Sequence, residues 1–132
     1  MKFQDFKLYR NKNYIDGEWV DSDSGDTISV NNPANLKEIG TVPKCGTSET
    51  KKAIESANNA WPEWKAKSAR QRSEILRKWF DLIIKNKEEL AQIMTTEQGK
   101  PINESRGEIV YEASFIEWFS EEAKRVYGDT IP

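Results

Sequence analysis

The last third of the chain limits its fold more than any other stretch. Gln98-Gly99-Lys100-Pro101 marks the end of one helix and the start of another, and the residues from Pro101 to Gly128 read as one long helix. Its apolar positions do not fall in a single stripe. Ile102, Ile109, Ala113, Ile116 and Ala123 share one side, while Tyr111, Phe115 and Trp118 point elsewhere. Such a helix is contacted from more than one direction, and three further helices are too few to cover it. Aromatic surface left over in this way marks an interface or missing mass.

Those three helices precede it. Ala53, Ile54, Ala57, Ala60, Trp61 and Trp64 recur at helical spacing after a Thr47-Ser48 start, and Pro62 is expected to end or bend this first helix. Ser68-Ala69-Arg70-Gln71 matches a capping box and opens a second helix with Ile75, Leu76, Trp79, Phe80 and Ile83 on its apolar face. A fresh start at Asn86-Lys87-Glu88-Glu89 leads into a third, carrying Leu90, Ile93 and Met94, which Gly99 terminates. Residues 1–46 are different: short strands and turns. Asp16-Gly17 lies between two runs of β-formers and predicts a tight hairpin. Thr27-Ile28-Ser29-Val30 and Glu38-Ile39-Gly40-Thr41-Val42-Pro43 flank the Asn32-Pro33-Ala34-Asn35 turn, and residues 21–26 form a polar loop. The expected class is α+β: short N-terminal antiparallel strands followed by four helices over residues 47–132, with no repeats and no linker. Strands this short need something larger to lie against.

Composition removes several function classes. The net charge of −2, with acids and bases interleaved, gives no basic footprint for nucleic acid. The Met1-to-Lys7 segment has no apolar leader core, and no run approaches the roughly 18 apolar residues of a membrane span, so a cytoplasmic location is expected and a membrane partner is not. There is no histidine, which rules out a Ser-His or Cys-His pair and a histidine-bound metal within the chain. Cys45, the only cysteine, has Lys44 beside it but no activating base, and reads as an ordinary loop thiol in a reducing compartment. The glutamates of the last two helices fall at spacings that pair with lysines and arginines, which reads as a solvated face. No glycine run of the phosphate-binding kinds is present. The tryptophans at 61, 64, 79 and 118 read as core residues.

Six segments together resemble the N-terminal part of the aldehyde dehydrogenase superfamily. They are Ile15-Asp16-Gly17-Glu18-Trp19, Asn32-Pro33-Ala34-Asn35, Ala57 and Ala60 with Trp64, Arg72 with Leu76, Glu97-Gln98-Gly99-Lys100-Pro101, and Tyr127-Gly128-Asp129-Thr130-Ile131-Pro132. They occur in the order and spacing of that family across almost the whole chain. The segment from Ala113 to Glu122, joined to that ending, is most similar to succinate-semialdehyde dehydrogenases.

The resemblance implies an N-terminal fragment of an α/β, Rossmann-like cofactor-binding domain. The parent would oxidise succinic semialdehyde to succinate with NAD(P)+, using a cysteine thiolate, an oxyanion hole and a water-activating glutamate. None of those residues is matched here: no catalytic or cofactor-binding residue can be named, Cys45 does not fit the nucleophile's motif, and neither bound cofactor nor activity is expected of these 132 residues alone. The family's entry tunnel for the aldehyde would place Gly107, Glu108, Tyr111 and Phe115 on its wall, although Tyr111 and Phe115 fit a core reading equally well. A structural monovalent cation would take the Val30 carbonyl and Glu97, where many relatives carry Asp. The parent would be a homodimer or homotetramer, with NAD and NADP both open. Two other readings remain: a different aldehyde dehydrogenase subfamily, and a stand-alone helical module that docks a protein partner.

Overall fold

The computed structural model describes residues 3–132; Met1 and Lys2, which open the segment lacking a leader core, lie outside the described residues. A single 3-10 turn, Phe3–Asp5, leads into two separate two-stranded ladders. In the first, β1 (Asn13–Ile15) pairs antiparallel with β2 (Glu18–Val20), Tyr14 facing Trp19. Asp16 and Gly17 turn the chain with φ of 53° and 83°, the left-handed pair that a two-residue hairpin needs and that Asp-Gly tolerates. In the second, β3 (Thr27–Asn31) pairs antiparallel with β4 (Glu38–Pro43). Asn32 and Asn35 shape the turn between them, their side-chain oxygens accepting from the N–H groups of Ala34 and Lys37. The register slips after Val30, which faces Gly40, whereas Asn31 faces Glu38. Ile39 is therefore the extra residue of a bulge, and its freed carbonyl accepts from the Gln4 amide at 2.7 Å.

The helices are α1 (Thr47–Ala66), α2 (Ala69–Lys85), α3 (Lys87–Gln98) and α4 (Ile102–Glu122). Ser68 caps α2 as expected: its Oγ accepts from the Gln71 N–H, and Gln71 Oε1 accepts in return from the Ser68 N–H. Gly99 ends α3 at φ 79°, where only glycine sits without strain. Three helix boundaries differ from expectation. Pro62 neither ends nor divides α1, which runs four residues past it. The proline removes one backbone bond near an exposed C-terminal end, where water can take the freed carbonyl. Helix α4 stops at Glu122, not at Gly128. Residues 123–125 make only short-range turns, and Val126 and Tyr127 stand in solvent with no element to pack against, so nothing offsets the cost of continuing the helix. At its other end Pro101 is the N-cap rather than the first helical residue, its carbonyl accepting from Glu104 and Ser105.

Helix α4 packs chiefly against α2, then against α3. The contact is made by small side chains. Ala91 of α3 and Ser105, Ala113 and Ser120 of α4 are fully buried, at steps of seven or eight residues along α4. Small residues at these positions let the helix axes approach closely. The buried hydroxyls are satisfied: Ser105 shares a hydrogen bond with Thr95 at 2.9 Å, and Ser120 donates to the Glu117 carbonyl. The tryptophans are not core residues here. Trp61, Trp79 and Trp118 are more than half exposed, and only Trp64 of the four is partly covered. The layers built by the described residues bury small side chains completely but no aromatic ring.

Candidate functional site on the outer face of the fourth helix

The side of α4 away from α2 and α3 carries an open groove of about 730 Å³, whose aromatic lining is Tyr111, Phe115, Trp118 and Phe119. Their spacing of four, three and one places them on one strip of the helix. They are 61%, 45%, 60% and 58% exposed. Tyr111 and Phe115 meet edge to face with ring centroids 5.0 Å apart. Charges surround the strip and are already engaged. Arg77 of α2 reaches Glu117 at 2.7 Å, Lys124 reaches Glu121 at 2.8 Å, and Arg125 pairs with Glu122 while lying 5.9 Å from the Trp118 ring centre. The groove therefore offers an apolar floor with a neutralised rim. It can hold or guide an apolar group; its one serine, Ser114, donates to the Tyr111 carbonyl, and Glu117 and Glu121 are already ion-paired.

Of the four tunnel-wall residues expected from the resemblance, Tyr111 and Phe115 line this groove and are not core. Gly107 lies one turn before Tyr111, with open space where a Cβ would stand. Glu108 is turned away into an ion pair with Lys100. Trp118 and Phe119 complete the strip, and their spacing from Phe115 was the available signal for them. Of the expected cation pair, Val30 lies in β3 and Glu97 in the last turn of α3, and neither lines the groove. Partial desolvation raises the Glu97 carboxyl above its ordinary range, and no lysine or arginine pairs with it among the described residues. A carboxylate in that situation fits a bound cation. Among the described residues there is no cluster of three or more Cys, Asp or Glu side chains that would hold a more demanding metal.

The remaining candidates separate cleanly. Cys45 lines a different cavity, with Asn13, Tyr14, Ile15 and Glu49, and its Sγ accepts from the Asn13 amide at 2.8 Å. No base adjoins it. Among the described residues both ladders are antiparallel, and β4 runs through Lys44, Cys45 and the single glycine Gly46, not a glycine-rich run, into α1. Among the described residues no helix is long and apolar enough to cross a membrane.

Comparison with known proteins bears directly on these features. The model of the aldehyde dehydrogenase family matches residues 19–132. The chain belongs to this family. Aldehyde dehydrogenases are NAD(P)-dependent oxidoreductases, and the strands and four helices described above have the fold of the N-terminal part of their cofactor-binding domain. The chain is 60% identical over 132 residues to a glutarate-semialdehyde dehydrogenase of Pseudomonas putida, matching all of this chain and 28% of that protein. It is 54% identical to an NADP+ succinate-semialdehyde dehydrogenase of Escherichia coli, again over all of this chain and 27% of that one. An Escherichia coli NADP-dependent enzyme of known structure superposes with a TM-score of 0.95 at 53% identity, covering 99% of this chain and 27% of the other. A betaine aldehyde dehydrogenase of Staphylococcus aureus, only 29% identical, still gives 0.91 over 98% of this chain and 26% of its own. The chain thus spans little more than a quarter of the aldehyde dehydrogenases it matches.

Proposed function

We propose that this aldehyde dehydrogenase chain is the N-terminal part of a cytoplasmic enzyme, a homodimer or homotetramer, that oxidises succinic semialdehyde to succinate with NAD(P)+. The observation that carries this reading is the 54% identity, over all 132 residues, to a succinate-semialdehyde dehydrogenase. The cofactor supplies the hydride acceptor, and the chemistry at the aldehyde carbon runs through a cysteine thiolate that these residues do not provide. What this chain supplies is a wall. Tyr111, Phe115, Trp118 and Phe119, with the open position at Gly107, line the aldehyde's approach, exclude water and accept its methylene chain. Glu108 is engaged by Lys100 and is no part of that wall.

A second reading has its own support. The 60% and 58% identities to glutarate-semialdehyde dehydrogenases of two Pseudomonas species favour a substrate one methylene longer. Steady-state assays of the enzyme expressed from the whole reading frame, with the four- and five-carbon semialdehydes side by side, decide between them. A single methylene is worth roughly 10- to 200-fold in kcat/KM. A preference of that size for succinic semialdehyde supports the first reading, and the reverse preference replaces it with the second. The 132 residues alone are expected to be inactive. Aldehyde-dependent formation of NAD(P)H by the purified chain would refute that expectation.

A further inference from the structure

Three acids stand in or next to the aromatic strip of α4, and each is met by a base, but the pairs are not equivalent. Arg77–Glu117 and Lys124–Glu121 stand largely in solvent, where screening leaves an ion pair little force. Lys100–Glu108 is better covered, the two side chains being 28% and 30% exposed. Glu108 also heads the strip. It lies three residues before Tyr111 and seven before Phe115, the spacing that stacks side chains along one face of a helix. Gly107 beside it leaves open space where a Cβ would stand, so a carboxylate released from Lys100 has room to turn toward the wall. Lys100 itself sits in a fixed junction. On one flank Gly99 takes the left-handed turn, so close to the turn after β3 that an added Cβ would lie 2.7 Å from the Pro33 ring. On the other, Pro101 caps α4 with its carbonyl. The cation is thus delivered to Glu108 from a rigid start of the helix and not from a loose surface segment.

A largely covered carboxylate that loses its partner keeps a charge that water screens poorly. The four- and five-carbon semialdehydes carry a carboxylate of their own at neutral pH, and like charges repel along a partly dehydrated approach. We propose that Lys100 is a positioning residue for substrate choice: it holds the Glu108 carboxylate away from the wall and cancels its charge, so that the wall admits an anionic aldehyde as readily as a neutral one. The inference rests on the reading of the α4 strip as the approach of a semialdehyde, and it holds for either chain length.

Steady-state kinetics of the enzyme expressed from the whole reading frame test it, with succinic semialdehyde and uncharged butanal as paired four-carbon substrates. In Lys100→Met, kcat/KM for the semialdehyde is expected to fall by about tenfold, mostly through KM, and to recover in part as ionic strength is raised, while butanal changes by less than about twofold. Adding Glu108→Gln to Lys100→Met removes the uncancelled charge and should bring the semialdehyde-to-butanal ratio back to within about twofold of wild type. Glu108→Gln alone leaves the Lys100 charge uncancelled and should raise that ratio. An equal loss for both aldehydes in Lys100→Met, or a loss that Glu108→Gln does not rescue, would overturn the role and leave Lys100 as a strut that holds α4 in place. An unchanged or lowered ratio in Glu108→Gln would overturn it even if Lys100→Met failed to fold. A wild-type enzyme that oxidises butanal but neither semialdehyde would overturn the substrate class and the inference with it, whereas a semialdehyde dehydrogenase whose ratio ignores these charges would overturn the inference alone.

Discussion

The two halves of the chain are held together by different physics. From α2 to α4 the contacts are made by shape: Ala91, Ser105, Ala113 and Ser120 vanish completely from solvent where the helices cross. From the first strand to α1 they are made by polar clasps. Glu49, 6% exposed, accepts from the backbone N–H groups of Asp23 and Gly46, while Lys52 and Ser48 bind the Asp23 carboxylate. Asp16 takes a hydrogen bond from Ser56 of the same helix, and Asn13 reaches Cys45. Close packing is insensitive to salt and pH, whereas exposed ion pairs contribute little and are screened. The helical half should therefore set global stability, and the N-terminal half should open first.

The largest effect should follow from overfilling the helical contact. Ala113→Leu places three extra carbons where no volume is free, and a loss of about 3 kcal/mol is expected in denaturant unfolding. A loss below about 0.5 kcal/mol would mean that α4 does not pack as tightly as its buried serines imply. Next comes the junction of the two halves. Gly99→Ala would force a left-handed alanine and press its Cβ onto Pro33, for an expected cost of about 2 kcal/mol. If the cost instead matched the milder value for the backbone conformation alone, the Pro33 contact would be shown to yield. Ser68→Ala removes the α2 cap and should cost about 1 kcal/mol, with the same change in midpoint read by tryptophan fluorescence and by circular dichroism.

Features set by a few neighbouring residues were legible in the amino-acid order. Asp16-Gly17 closes its hairpin, Ser68 and Gln71 form their reciprocal cap, and Gly99 takes the left-handed turn, because each depends on local backbone chemistry. The candidate groove was half legible: Tyr111 and Phe115 lie in it, but Glu108 turns away because Lys100, eight residues earlier, captures it. Longer-range outcomes were not readable. Pro62 signals a break, yet an exposed helix end tolerates it. The pattern of α4 continues past Glu122, but no element faces residues 123–128, and a helix needs a surface to continue on. Glu49 lies in the first turn of α1. Its place in the fold depends on a loop 26 residues upstream, which no local signal reports.

The smallest global effect, and the sharpest test of the contrast, concerns that glutamate. Backbone N–H groups, of Asp23 first and then of Glu49 itself and Gly46, hold the Glu49 carboxyl below its usual range, and the Lys52 and Ser48 hydrogen bonds do the same for Asp23. A carboxylate whose pKa is depressed on folding stabilises the fold above its unfolded pKa, and that contribution is lost as pH falls through the folded value. Protonation therefore loosens the clasp below about pH 4. The helical half also has an acid-linked contact, since Arg106 and Gln92 lower Glu88 to about 2, so its loss is complete only at a still lower pH. Amide hydrogen exchange should show residues 21–26 and the first turn of α1 losing protection on acidification while α4 keeps its own. Glu49→Gln should reproduce the same local loss at neutral pH, because its single amide oxygen can replace only one of the two carboxylate oxygens that accept from Asp23 and Gly46, and its NH2 cannot accept the other N–H. Equal loss of protection along α4 in that variant would show that the two halves open as one unit.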